Sequence, residues 1–486
     1  MIQNFEYMTQ RIIVFLTVCI LCLNLSAQEC NTIYFMDRVP QSNQLNPAFQ
    51  PKCDFFLGLP NIDYNIRNSF SLNDLLTYDS QIDSLITPIH PHGNVNQYLQ
   101  KLSSKNSLYN SLQVQGLSLG FRIKDLYFTL GLSAKLYGNM YYPPDLVKLI
   151  LTQRFDTTTA YNFKNLGIDA TAYGELALGV SKNYNDEFTL GIRTKLLSGI
   201  FNMTTQNNKF DIYNTVDNDL YKLHINTDLN IMASGAYFKI DTNAKGQITK
   251  ISSANNIADS YKPFRSMGFA IDLGGSYTAI DKFIFSASIL DLGFIKWQND
   301  EYNFKMKGDT SFAGISNIDL LHNDSNVLNK FVDSLKNTFK FSHTKTSYTT
   351  WLPTKVYLGV EFLPASFFSL GFLSLSEYYR QQFYQQLMLS ANLRLFRMFM
   401  LSTSYSIFDN GFSNMGVGLS FRLSPPFVYF IPLNMYFIFD NIPLKFANKD
   451  LPLPYKLNTF NFRFGMNIVF GCNQKRKLRD KPLIFE

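Results

Sequence analysis

The stretch LNTFNFRFGMNIVFGC, residues 457–472, alternates without a break. Phe460, Phe462, Phe464, Met466, Ile468 and Phe470 fall on one side of an extended chain, and Asn461, Arg463, Gly465 and Asn467 on the other. A period of two residues marks a strand with one apolar and one polar face. The pattern recurs in GIDATAYGELALGVS (167–181), where Ile168, Ala170, Ala172, Leu176, Leu178 and Val180 alternate with Asp169, Thr171, Tyr173, Glu175 and Ser181. LYFTLGLSAKL (126–136) and MGVGLSFRL (415–423) repeat it. In a soluble sandwich such strands are usually short and turn the apolar face inward. Here many run to about ten residues or more, and the polar face carries Gly, Ser and charge, as in a membrane barrel that is apolar outside and polar inside. Lipid offers the backbone no hydrogen-bond partner, so only a closed sheet is allowed.

Composition agrees. The chain has 486 residues, 17% charged and 15% aromatic. Its mean hydropathy of −0.07 excludes a helical membrane protein. Residues 1–27 read as a secretion signal: Arg11 gives the positive start, IIVFLTVCILCLNL (12–25) the apolar stretch, and a cut follows Ala27. That stretch is short for a membrane helix, and past Leu25 no run approaches the required ~20 apolar residues. Cys30 follows Glu29, where a lipid-attachment site needs a small residue. The expected layout is a signal (1–27), an N-terminal plug segment (28–53), a barrel (54–471) and a basic tail (472–486). The formal net charge of +7 suits solubility or a surface near anionic outer-membrane lipid, and nothing points to nucleic acid.

Short turns at 124–125, 183–186, 281–282, 364–365, 395–396 and 424–426 join strands in pairs. With a first strand near 54–66 and a last near 457–471, the expected fold is all-β: a transmembrane antiparallel up-and-down β-barrel of about fourteen strands. Short turns and both termini are expected on the periplasmic side of a bacterial outer membrane, and the long polar loops 67–111, 139–164, 202–264 and 298–350 outside. Residues 71–86 and 326–337 have helical spacing. Residues 209–231 either extend a hairpin beyond the membrane or add two strands. Trp297, Trp351, Tyr141, Tyr142, Tyr378 and Tyr379 are expected in interfacial girdles.

With a barrel in hand, QLNPAF (44–49) gains meaning. Asn46-Pro47-Ala48 before the first strand resembles the Asn-Pro-Ala segment of the long-chain fatty-acid transporter (FadL-like) barrels. That resemblance implies an N-terminal segment folded into the lumen as a plug. The whole chain resembles a family of uncharacterised outer-membrane barrels of the Bacteroidota, through YFMDRVPQSNQLNPAFQPKC (34–53), YGELALGVSKNYNDEFTLGIRTKLLSG (173–199), GFAIDLGGSYTAIDKFIFSASILDLGFIKW (268–297) and GCNQKRKLRDKPLI (471–484). Related barrels of that phylum include partners of the type IX secretion machinery. The resemblance supplies no activity.

Several residues carry expectations. Pro40, Asn46 and Pro47 force turns and remove donors, which suits a compact coil in a pore; Leu45, Asn46, Pro47, Ala48 and Phe49 are the candidate plug residues, with Leu45 and Phe49 as anchors. The competing reading is a leader that only delivers the first strand. Arg122, Lys135, Asp169, Glu175, Arg193, Lys195, Arg422 and Arg463 point into the lumen, as structural ion pairs or as a track for an anionic head group. Glu175 and Arg193 are expected to be near neighbours across a hairpin. Pro60 and Pro432 each remove a ladder bond near the closing seam, as tolerated bulges or as a lateral exit. Cys53 can pair with Cys472 across the seam or with Cys30, and the sequence leaves the choice open. His90, His92, His224, His322 and His343 fall in expected outer loops and assemble no catalytic group, so neither an enzyme nor a cofactor is expected. The function expected is passage of a hydrophobic or amphipathic small molecule through a lumen gated by residues 31–52. The alternative is a non-transporting subunit of a secretion or assembly complex that offers its loops or tail to other envelope proteins.

Overall fold

Alternation becomes a ladder. The computed structural model describes residues 31–472 except 71, 105, 153–160, 186, 218–219, 236–237, 243–247, 254–263, 280–281, 299–300, 314–339, 345, 380–381, 397, 409–410, 424–431 and 444–457. Among the described residues, 14 antiparallel strands close into a barrel. They are β1 (Phe55–Gly58, continued by Asn61–Asn68), β2 (Asn106–Ile123), β3 (Leu126–Tyr142), β4 (Gly167–Asn183), β5 (Phe188–Asp217), β6 (Met267–Ala279) and β7 (Phe283–Trp297). β8 (Tyr348–Trp351, continued by Thr354–Ala365), β9 (Phe368–Tyr379), β10 (Gln382–Leu395), β11 (Phe399–Phe408), β12 (Gly411–Leu423), β13 (Leu433–Pro443) and β14 (Thr459–Phe470) complete the wall. Phe55 faces Phe470 and Ile62 faces Phe464, so the first strand pairs with the last and no edge remains.

The two faces follow the sequence. Leu132, Leu136, Leu176, Leu178, Leu358 and Leu389 are exposed on the outer wall. Ser133, Tyr137, Glu175, Ala177, Tyr357 and Ser390, their neighbours along the chain, are buried inside. Residues 209–231 do not cross the barrel. β6 follows β5 only as far as Ser198, and the remainder of β5 pairs with Leu220–Gly235. Tyr302–Ala313 and Lys340–Thr344 continue that sheet away from the loop end of the barrel.

Four expectations change. Residues 71–86 hold one helical turn, Leu72–Leu75, and then a small hairpin of Thr77–Asp79 with Ser84–Ile86. There the Asp79 carboxylate accepts from the Gln81 N–H, and Asp83 takes a positive φ of 50°, both turn-forming. The turn expected at 364–365 lies just beyond Ala365, because Pro364 sits in a register shift between Phe362 and Ala365. Trp297 is fully buried in the lumen rather than in a girdle, whereas Trp351 is exposed on the outer wall. A bulge at Asp291 (φ 57°) turns both Leu290 and Asp291 inward, which reverses the parity of every later residue of β7. Tyr142 is buried and donates to Asn68, and Tyr379 packs on Tyr137 in the lumen. The segment 326–337 lies outside the described residues.

The seam is tied twice. At Pro60 β1 breaks and its register with β14 shifts by one residue, and the Leu59 N–H donates to the Met466 carbonyl at 2.9 Å, which holds the ladder together. Pro432 precedes β13, and its carbonyl accepts from the Val469 N–H at 3.0 Å. A disulfide joins Cys53 to Cys472, packed against Phe56, Tyr127 and Val469. A cross-link of this kind stabilises typically by about 2–4 kcal/mol. The variant with Cys53→Ser and Cys472→Ser should therefore keep a closed barrel but unfold at lower temperature. Heat-dependent migration on detergent gels, with and without reductant, measures this; identical profiles would remove the staple from the account.

Candidate functional site: a plugged lumen

The segment 31–52 fills the barrel. Thr32–Phe35 and Pro40–Gln44 form short 3-10 turns, the second opened by Pro40, which needs no donor at that position. Successive N–H groups of Tyr34, Met36, Val39, Ser42, Leu45 and Phe49 donate to the carbonyl three residues back. The coil thus satisfies much of its own backbone, which a segment shut away from bulk water requires.

Its apolar side chains meet an apolar patch on the inner wall. Ile33, Tyr34, Phe35, Met36, Val39 and Leu45 cluster with Leu290, Tyr357, Leu373, Leu375, Met388, Met400, Tyr436 and Ile438, and Phe49 packs against them. Tyr34 stacks on Tyr357 with ring centres 5.6 Å apart. Each fully buried side chain of this size contributes about 1.5–3 kcal/mol, so the set holds the coil by on the order of 10 kcal/mol. The coil is therefore core as much as plug, and wholesale ejection is costly.

Polar clamps fix its position. At one end the N–H and hydroxyl of Thr32 both donate to Asp440, and the Thr32 and Ser404 hydroxyls lie 2.6 Å apart. In the middle Arg193 Nη2 donates to the Asn43 carbonyl at 2.7 Å and Nη1 to the Gln44 carbonyl at 3.3 Å, while Asp272 holds the same guanidinium. At the turn end Arg394 bridges Asp37 of the plug (3.1 Å) and Glu361 of the wall (2.9 Å), and Lys52 pairs with Asp37. Asn46-Pro47-Ala48 lies directly on the wall. The Asn46 amide donates to the carbonyls of Gly275 (3.2 Å) and Ala287 (3.3 Å). A Cβ on Gly274 would meet Pro47 Cδ at 2.8 Å, and one on Gly191 would meet the Ala48 nitrogen at 2.6 Å. Those two glycines let backbone reach backbone.

The expected lumen charges all lie on the inner side, with partners the hairpin count did not foresee. Glu175 does not face Arg193. Asn183 pairs with Thr189, so Glu175 stands opposite Leu197 and Arg193 opposite Gly179. Glu175 binds Lys135 at 2.7 Å. Lys195 binds Asp291 at 2.6 Å and Asp272 at 2.8 Å. Arg463 pairs with Asp63. Arg122 reaches Gln50 and Pro51 at the plug's exit, and Arg422 lies 3.7 Å from the Cys53 sulfur. Asp169 is buried further toward the loop end. Alternation also places Asp63, Asp272, Glu361, Arg394 and Asp440 inward, whereas Asp291 is hidden by its bulge.

Above the plug stands a second buried cluster. Tyr137, Tyr173, Leu197, Ala270, Ile295, Trp297 and Leu352 cluster, with Tyr109, Tyr348 and Tyr379 against them. The Trp297 indole donates to Thr350 at 2.8 Å. Between this cluster and plug residues 40–45 lies a cavity of about 130 Å³, lined by Lys135, Glu175, Arg193, Lys195 and Asp291 among others. Among the described residues no group of three or more His, Cys, Asp and Glu could hold a metal. His92 pairs with Asp79 at 2.6 Å and His224 stacks on Tyr213, both outside the barrel wall. His322 lies outside the described residues.

A family model described as a family of unknown function (DUF5723) matches residues 47–432. The chain belongs to this family. No curated protein matches it. Among solved structures, this DUF5723 barrel is similar to a Pseudomonas aeruginosa FadL homologue, with 11% identity, TM-score 0.39 and coverage of 90% of this chain and 94% of that one. It is also similar to the Ralstonia pickettii toluene transporter TbuX, at 9% identity and TM-score 0.40, over 89% and 94% of the two chains. The Pseudomonas putida toluene transporter TodX aligns at 9% identity and TM-score 0.37, over 88% and 92%.

The clamp at Arg394 is testable. Arg394→Met leaves Asp37 and Glu361 short of their shared cation in a buried site, which should cost about 3–5 kcal/mol. Urea unfolding in detergent measures it; a loss under about 1 kcal/mol, the range of an exposed pair, contradicts the clamp.

Proposed function

We propose that this chain is a bacterial outer-membrane channel for a small molecule, with its tight-turn end in the periplasm and its lumen gated by residues 31–52. The observation that carries the reading is the occupied lumen. A wall with an apolar outer face surrounds a polar interior, and the chain's own N-terminal coil stands in that interior on discrete polar clamps. A barrel with a purely structural task needs only inner-wall side chains large enough to fill it. This one instead keeps small inner positions such as Gly191 and Gly274, against which a separate segment docks.

Of the two ligand classes expected from the sequence, the amphipathic one fits better. The cavity above the plug presents lysines and carboxylates, and an apolar molecule there would strip them of water with nothing in return. The rival reading, a barrel subunit of a secretion or assembly complex, draws on the sheet that stands off the loop end and on the basic tail from residue 472.

Conductance in planar bilayers tests the gate. Deletion of residues 31–51 should open a steady pore where the intact protein is quiet. A second variant guards against misfolding: Thr32→Cys with Ser404→Cys locks the head of the coil to the wall on oxidation. The oxidised protein should stay closed to solute flux, and reductant should restore it. Equal flux in both states would end the gating reading.

A further inference from the structure

We infer that the cavity between the plug and the aromatic cluster is a binding chamber for a small zwitterion, a molecule with one ammonium and one carboxylate. This inference rests on the channel reading above.

Three observations carry it. The first is position. Plug residues Pro40, Gln41, Asn43, Gln44 and Leu45 line its floor, and Tyr137 and Tyr173 of the aromatic cluster line it above. The second is size. At about 130 Å³ the cavity approaches the ~150 Å³ that holds one benzene, so it takes a molecule of about six non-hydrogen atoms. The third is the arrangement of charge. Lys135–Glu175 and Lys195–Asp291 are tight pairs at 2.7 and 2.6 Å. The contact that joins them, Lys135 to Asp291, is stretched to 3.9 Å. Those same two side chains keep surface toward the cavity, 16% and 12%, whereas Lys195 and Asp272 keep 4% and 0%.

A lysine and an aspartate held just beyond hydrogen-bond reach present two opposite charges to one small space. An anion there gains Lys135 and is repelled by Asp291, and a cation meets the reverse. A zwitterion satisfies both at once, its carboxylate on Lys135 and its ammonium on Asp291, through charge-assisted hydrogen bonds. The tyrosine rings cover its carbon skeleton. Arg193 lines the same cavity and also holds the Asn43 and Gln44 carbonyls of the plug. The occupant therefore lies against the side chain that pins the gate.

The experiment is calorimetric titration of the purified full-length protein in detergent. The probes are L-alanine, sodium acetate, methylammonium chloride and glycerol, none larger than six non-hydrogen atoms. L-Alanine should bind saturably, and each single-function probe at least about tenfold more weakly. Lys135→Gln and Asp291→Asn should each weaken L-alanine by at least about tenfold. If either variant fails to fold, the probe comparison on the unaltered protein still decides. Failure of L-alanine to bind, or acetate, methylammonium or glycerol binding as tightly, overturns the inference. The channel reading is judged separately. A protein that binds L-alanine but conducts nothing in either plug state keeps the chamber and loses the channel; one that gates flux without binding L-alanine does the reverse.

Discussion

A sheet with an apolar outer face has no water to satisfy an open edge, and everything else in this barrel follows from closing it. Closure requires β1 to meet β14, and that pairing is irregular. β1 is broken at Pro60 and shifts register against β14. The compensations gather there: the Leu59–Met466 bond across the break and the Cys53–Cys472 disulfide below it. Cys53 is also where the plug becomes wall. One residue therefore anchors both the seam and the coil, and a loosened seam loosens the root of the coil.

Closing the ladder creates a second problem, the space it encloses. Inner-wall side chains leave room at small residues, and the N-terminal coil takes it. The match is specific at both levels of chemistry. Leu373, Leu375, Met388 and Met400 break the polar lumen where the coil is apolar. Asp440, Arg193 and Arg394 stand where it exposes backbone groups or Asp37. An apolar interface resists displacement in proportion to area, whereas a few charged contacts can be exchanged for others. A gate that moves in part, by trading polar contacts while its apolar side stays seated, costs less than one that leaves the lumen.

Most of the wall was legible because alternation is local and survives at every depth. The faces of β3, β4 and β14 could be assigned residue by residue, and the lumen positions of Lys135, Glu175 and Arg463 followed. Pairing was less legible because it depends on register, and register depends on turn length. The connection after Asn183 is longer than its turn residues suggest, which moved Glu175 from Arg193 to Lys135. The bulge in β7 was not legible at all. The left-handed Asp291 left no mark on composition, yet it reversed the second half of β7 and sent Trp297 into the lumen. The apolar inner patch was readable in principle. In SLGFLSL (369–375) both faces carry leucine or phenylalanine, a departure from one-sided alternation that signals packing against something inside.

The Asp291 bulge also ties wall geometry to chemistry. Without the extra residue, β7 would present Leu290 alone at that height and turn Asp291 to the apolar outer face, where an ionised carboxylate is costly. With it, Leu290 packs on the plug while Asp291 meets Lys195 and faces Lys135. The same backbone irregularity carries Trp297 into the aromatic cluster above the cavity. A single left-handed residue thus sets a plug contact, a lumen charge and part of the roof over them. Bulges next to functional positions commonly re-aim side chains in this way. Restoring the regular ladder at this one point would undo all three together, and for that reason the bulge belongs to the site rather than to the scaffold.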